Sequence, residues 1–141
     1  MAHLEVTEDI QDSDLAVLKT GLAQSYTARG GLPYSPRNLG IYMRDDEGKL
    51  LGGLTGETFW SWLYVAFFWV SESSRNKGLG SEILHRAEDE AIKRGCHSAY
   101  LYTQSYGAPN FYEKLGYKKF ITLANCPPGH EQIGFMKRLA A

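Results

Sequence analysis

The sequence predicts an α/β (α+β) domain, a β-sheet flanked by helices, on three observations. Leu63 to Val70 reads LYVAFFWV, apolar on both alternating faces, as a central strand covered on both sides requires. After a glycine-bearing turn, Ser81 to Arg94 carries Ile83, Leu84, Ala87 and Ala91 on one helical face. It ends in Lys93, Arg94 and Gly95, a basic last turn and a left-handed cap. Strand patterning then recurs on both sides of this strand, turn and helix.

In chain order, Leu4 to Ile10 predicts a short first strand. Asp12, Ser13 or Asp14 caps a helix bearing Leu15, Val17, Leu18 and Leu22. Tyr26 to Leu39 has loop composition, with Gly30, Gly31, Pro33 and Pro36. Leu39 to Arg44 and Lys49 to Phe59 flank Asp45-Asp46-Glu47-Gly48 and predict a hairpin, in which Gly52, Gly53 and Gly56 mark a bulge or a close approach. Regular alternation puts Trp60, Trp62, Tyr64, Ala66, Phe68 and Val70 on one face of the next strand, opposite Leu63, Val65, Phe67 and Trp69. In the following helix Glu82 and Arg86, Asp89 and Lys93, and Glu90 and Arg94 stand four apart, pairs that serve the scaffold. Ser98 to Thr103 predicts a strand, Pro109 to Leu115 a short helix with proline in its first turn, and Lys118 to Leu123 and Gln132 to Leu139 the last two strands.

At 141 residues, with 43% hydrophobic and 22% charged residues, the chain fits one globular domain spanning 1–141. Its net charge of −1 supplies no global attraction to nucleic acid or an acidic membrane. The eight-residue apolar run is too short to cross a bilayer. The acidic start MAHLEVTEDIQDSD lacks a signal-peptide pattern, so a cytoplasmic location is expected. Cys96 and Cys126 make no disulfide framework and are expected reduced. His3, His85, His97 and His130 have no ligand spacing, and no metal is expected.

The turn between strand and helix, Arg75-Asn76-Lys77-Gly78-Leu79-Gly80, is an anion cradle in outline. A helix start presents unpaired amides at the positive end of the helix dipole, and glycines clear the approach. A Walker loop needs its lysine after the last glycine, whereas Lys77 precedes Gly78. The dinucleotide fingerprint needs a third glycine where Ile83 stands. What remains is Arg-x-x-Gly-x-Gly, or an ordinary solvated loop before a capped helix. About thirty residues later comes Ala108 to Tyr117, APNFYEKLGY. The two motifs in this order resemble the pyrophosphate loop and fourth-helix signature of the GNAT family of N-acetyltransferases, over roughly Gly52 to Leu139.

The resemblance implies a mixed, mostly antiparallel sheet of about six or seven strands, splayed between the fourth and fifth, with acetyl-CoA as co-substrate. Backbone groups of Phe68, Trp69 and Val70 would then face the pantetheine arm or thioester. Arg75, Asn76, Lys77, Gly78, Leu79, Gly80 and Ser81 would hold the phosphates. Tyr112 matches the family tyrosine that approaches the coenzyme sulfur. Asn110 lies beside it as a further cofactor candidate, though it is no clean equivalent of the family asparagine. A tyrosine of ordinary pKa ~10 would protonate a thiolate of pKa ~8.5 uphill by ~2 kcal/mol. Tyr112 therefore requires hydrogen bonding, a lowered pKa or a relay from water. Where some relatives carry a catalytic glutamate, Leu101-Tyr102-Thr103 offers Tyr102, and Glu57 is the alternative base.

The resemblance further implies an acceptor site built from variable loops, with Tyr26, Tyr34 and Arg37 as candidate contacts. The acceptor would be a small-molecule or peptide amine, and aromatic walls near Glu57 favour a cationic one. A non-catalytic acyl-CoA-binding or sensor module of the same fold is the competing function. A homodimer paired along the edge of the final strand, Gln132 to Leu139, is compatible with the sequence and not required by it.

Overall fold

The computed structural model describes residues 1–139, and the chain divides into two compact units, Met1–Ser35 and one beginning at Pro36. The first unit holds helix α1, Asp12–Ala28. Its N-cap is Gln11, which makes no side-chain capping bond, so none of Asp12, Ser13 and Asp14 caps it as expected. Leu4 to Ile10 forms no strand, and the hydroxyl of Thr7 instead accepts from the Asp9 amide in a local turn.

The second unit is a six-stranded sheet with two helices. Its strands are β1 Arg37–Arg44, β2 Leu50–Phe59, β3 Trp62–Val70, β4 Ser98–Gln104, β5 Lys118–Ala124 and β6 Glu131–Arg138. Helix α2, Leu79–Lys93, connects β3 to β4, and the short helix α3, Pro109–Lys114, follows β4. The order is β1-β2-β3-β4-β6-β5, antiparallel except for the β3–β4 pair, which a helical crossover joins in parallel. No strand precedes β1, so the sheet has six strands, and the splay expected between the fourth and fifth falls between the same two segments, here β3 and β4. The last strand β6 lies between β4 and β5, so the exposed edge expected of Gln132 to Leu139 belongs to β5 instead.

Local chemistry fixes the turns. The Asp45 carboxylate accepts from the amides of Glu47 and Lys49, both at 2.9 Å, and Gly48 takes φ +86° in the β1–β2 loop. Trp60 and Ser61, at φ +49° and +66°, form the two-residue β2–β3 turn. Trp60 is therefore part of the turn and not of the strand.

The central strand departs from regular alternation. Thr55 pairs with Phe67 and Gly56 with Val65, which leaves Ala66 as a bulge. A Cβ on Gly56 would collide with the Tyr64 carbonyl, so only glycine admits this approach. The bulge exchanges the faces of the strand. Leu63 and Val65 are buried, but beyond Ala66 it is Phe68 and Val70 that pack against the core, while Phe67 and Trp69 are exposed. The single-face set expected for Phe68 and Val70 with Trp62 and Tyr64 is thus divided at Ala66.

The core lies under α2, whose Ile83, Leu84, Ala87 and Ala91 are fully buried together with Leu63, Ala99, Leu101 and Phe135. Of the three expected ion pairs on α2, only Glu90 with Arg94 closes, at 3.0 Å. Arg94 also donates to the Asn38 carbonyl and the Thr58 hydroxyl at 3.1 Å each, tying the end of α2 to β1 and β2. One acid shares the buried stripe of α2. Glu88 accepts from the Tyr117 hydroxyl at 2.6 Å and from the Lys137 ammonium at 3.0 Å. No helix among the described residues is long and apolar enough to cross a membrane.

Candidate active site

The parallel pair opens into a cleft. Strands β3 and β4 are joined only from Trp62↔Ser98 to Val65↔Leu101, and beyond that rung they separate. The last five residues of β3, from the bulge onward, therefore have a free edge toward β4. A cleft of about 720 Å³ occupies the gap. Its walls are the freed end of β3, the turn into α2, the end of β4 and the buried side of α3.

Most of the expected cofactor residues meet there. Phe68, Trp69 and Val70 line the cleft from β3, Arg75, Asn76, Gly78, Gly80 and Ser81 from the turn, and Tyr112 from α3. Lys77 is exposed in the turn, Leu79 is half-buried at the first position of α2, and Asn110 is exposed on α3; none of these three lines the cleft. Thr103, Tyr106, Gly107, Ala108 and Phe111, which the sequence does not mark as site residues, complete the wall. Ala108 and Phe111 stand inside the APNFYEKLGY motif, and that was the available signal. Gly107 had none: a Cβ there would lie 2.6 Å from the Thr103 hydroxyl, a contact that only the folded turn creates.

The turn has the geometry of an anion site. Gly78 takes φ +76° and Asn76 φ +64°, which wraps the chain into the helix start. The first helical hydrogen bond runs from the Glu82 amide to the Gly78 carbonyl, so the amides of Leu79, Gly80 and Ser81 have no acceptor within the helix. Arg75 donates through Nε to the Val70 carbonyl at 3.1 Å, fastening the turn to the end of β3. The Cβ that Gly80 lacks would lie 3.3 Å from the Phe111 ring, in the cleft wall. These residues fit a pyrophosphate and an extended arm.

Tyr112 lines the cleft from α3. It is buried among Phe68, Phe111, Tyr117 and Phe135, with ring centroids 5.2 to 6.4 Å away. Burial pushes its hydroxyl up to about 12. The lowered pKa entertained from sequence is therefore reversed. Tyr117 is shifted in the same direction, by burial first and then by the Glu88 carboxylate that its hydroxyl meets. A raised folded pKa contributes stability that is complete below the ordinary tyrosine value and is lost as pH rises through the folded one. Denaturant unfolding should therefore show stability falling between pH 10 and about 12. An unchanged stability across that window would mean that water reaches both hydroxyls.

The two candidate bases lie on the other side of the sheet. Thr58 faces α2, so its neighbour Glu57 points to the opposite face, half-buried and in register with Tyr64. Tyr102 lies between buried Leu101 and cleft-lining Thr103, and it stands edge-on to Tyr100 and Phe120 at 6.2 and 6.0 Å. Trp62, Tyr64 and Tyr100 continue this aromatic face. The structure thus brings Tyr112 to the cleft and leaves Glu57 and Tyr102 across the sheet from it. Tyr26 and Tyr34 belong to the first unit, and Arg37 opens β1. No group of three or more potential metal ligands occurs among the described residues.

Residues 6–117 match the family model of the acetyltransferase (GNAT) family. The chain belongs to that family. An acetyltransferase of Agrobacterium fabrum (strain C58) is 34% identical over 94% of this chain and 97% of its own length. The blasticidin-S acetyltransferase of Streptomyces morookaense is 38% identical over 62% of this chain and 65% of its own. The crystal structure of an acetyltransferase from Bacillus cereus ATCC 14579 superposes with a TM-score of 0.83 at 31% identity, covering 95% of this chain and 97% of that one. For this GNAT acetyltransferase the mixed, splayed sheet is thus the family's own.

Proposed function

We propose that this GNAT protein is an acetyl-CoA-dependent N-acetyltransferase that transfers directly to the amine of a small cationic acceptor. The observation that carries the proposal is the cleft itself, which brings together unpaired amides of the turn into α2, a free edge of β3 and a buried tyrosine of α3. Bound there, acetyl-CoA supplies the acetyl thioester.

The protein's own groups divide the remaining work. The amides of Leu79, Gly80 and Ser81, with Arg75 beside them, bind the phosphates. The free edge of Phe68 to Val70 offers backbone donors and acceptors to an extended arm, and an amide aimed at the thioester oxygen would stabilise the charge that develops there. Tyr112 keeps its proton up to about pH 12. Full transfer of that proton to a thiolate of ordinary pKa ~8.5 would be uphill by about 5 kcal/mol. Tyr112 therefore acts as a hydrogen-bond donor toward the departing sulfur, and solvent supplies the proton that the thiol keeps. Because Glu57 lies on the face opposite α2, the amine enters the gap from that face, and Glu57 takes its proton through water, with Tyr102 as the alternative.

A cationic acceptor is supported by the face that carries Glu57, which stands in register with Tyr64 on the side of the sheet where Trp62, Tyr64, Tyr100 and Tyr102 pack ring on ring. The similarity to a blasticidin-S acetyltransferase points the same way. The test is CoA release from acetyl-CoA with a panel of amines: blasticidin S, polyamines, amino acids and peptide N-termini. Release that depends on a cationic small amine is expected. Binding of acetyl-CoA without release for any amine would favour a sensor module.

Gly80→Val gives an independent check on the cradle. Its branched side chain would enter the wall where a Cβ already meets Phe111 at 3.3 Å and Val70 at 3.8 Å. A branched side chain there would take space beside the amides that the phosphates need, and acetyl-CoA affinity should fall by about tenfold or more. Wild-type affinity in this variant would move the phosphates away from the turn.

A further inference from the structure

We infer that Glu88, Tyr117 and Lys137 form a buried clamp that positions Tyr112 for turnover; the inference rests on the role given to Tyr112 above. Ile83, Leu84, Ala87 and Ala91 make the buried stripe of α2 apolar, and Glu88, a residue only 5% exposed, interrupts it with a carboxylate. A buried carboxylate contributes little net stability even when well paired, and an apolar side chain of similar size often does as well. Its partners indicate a different use.

Tyr117 is the link to the cleft. Its hydroxyl donates to one Glu88 oxygen at 2.6 Å, and the Lys137 ammonium reaches both oxygens at 3.0 and 3.2 Å. The ammonium also stands 5.5 Å from the centre of the Tyr117 ring. The clamp therefore ties α2 and β6 to one tyrosine. The Tyr117 amide then donates to the Tyr112 carbonyl at 3.0 Å, across a turn in which Gly116 takes φ +96°. The two tyrosine rings meet edge-on at 6.0 Å. The stem of Lys137 crosses this turn, 3.4 Å from where a Cβ on Gly116 would sit. A phenylalanine at 117 would keep the ring packing and the amide bond to Tyr112 but lose the one bond that fixes the ring against α2. The position so fixed is handed to the backbone and ring of Tyr112 by direct contact.

The experiment is a double-mutant cycle on acetyl transfer. Tyr117→Phe deletes only the clamp's hydroxyl, and kcat should fall about tenfold or more, as small misplacements of a reacting group do, while KM for acetyl-CoA stays within about twofold. In a Tyr112→Phe background the same change should cost less than about twofold, because coupled residues are not additive. Glu88→Gln keeps an acceptor for the Tyr117 hydroxyl and should retain most of the wild-type turnover. Wild-type kcat in Tyr117→Phe, or the same loss in both backgrounds, would overturn the clamp while leaving the acetyltransferase standing. Unaltered turnover in Tyr112→Phe alone would instead remove the role on which the clamp depends.

Discussion

Tyr112→Phe is expected to lower kcat by about 10² or more while the affinity for acetyl-CoA stays nearly unchanged. The substitution removes one oxygen and keeps the ring that packs on Phe68, Phe111 and Phe135. The wall of the cleft therefore survives. On the proposed mechanism the substitution removes the donor that meets negative charge as the thioester breaks, an interaction made chiefly in the transition state. Such losses fall on kcat and spare binding. Because the hydroxyl holds its proton up to about pH 12, the pH–rate profile of the wild type should show no falling limb from Tyr112 below that value. Steady-state kinetics with calorimetric binding on both proteins make the measurement. Equal kcat in the two would take Tyr112 out of the chemistry.

Glu88→Ala should reduce stability by about 3 to 5 kcal/mol, the range found when one partner of a buried pair is removed. For a chain of 141 residues this lowers Tm by on the order of 10 °C. Truncation leaves the Tyr117 hydroxyl buried without its acceptor, opens a hole beside Ala87 and Ala91, and strands an ammonium whose side chain is only 22% exposed. Glu88→Leu combined with Lys137→Met removes both charges and fills the space, and it should cost less than the single truncation. Urea unfolding of the three proteins checks the order. A loss under about 1 kcal/mol in Glu88→Ala would mean that the pair sits in water and holds nothing.

The sequence made the cleft legible because its parts are local. A strand apolar on both faces, a glycine turn and an amphipathic helix are contiguous from Leu63 to Gly95, and Phe111-Tyr112 lies in a short motif of its own. What was illegible depends on partners far along the chain. The bulge at Ala66 arises from the register of β3 against Gly56, and one extra residue was enough to turn Phe67 and Trp69 outward. The placing of β6 inside the sheet is a matter of strand order, which alternation within a strand does not encode. Leu4 to Ile10 had the composition of a strand, and the structure shows none there. Glu88 could have been found: it stands four residues after Leu84 on the apolar stripe, where a carboxylate requires a partner. Neither Tyr117 nor Lys137 announces that partnership in sequence.

If the gap between β3 and β4 is an acetyl-CoA site, calorimetric titration of the protein with acetyl-CoA will show it. One site per chain, with a dissociation constant on the order of micromolar and clearly weaker binding in Gly80→Val, is the predicted result. No binding up to millimolar acetyl-CoA would contradict it.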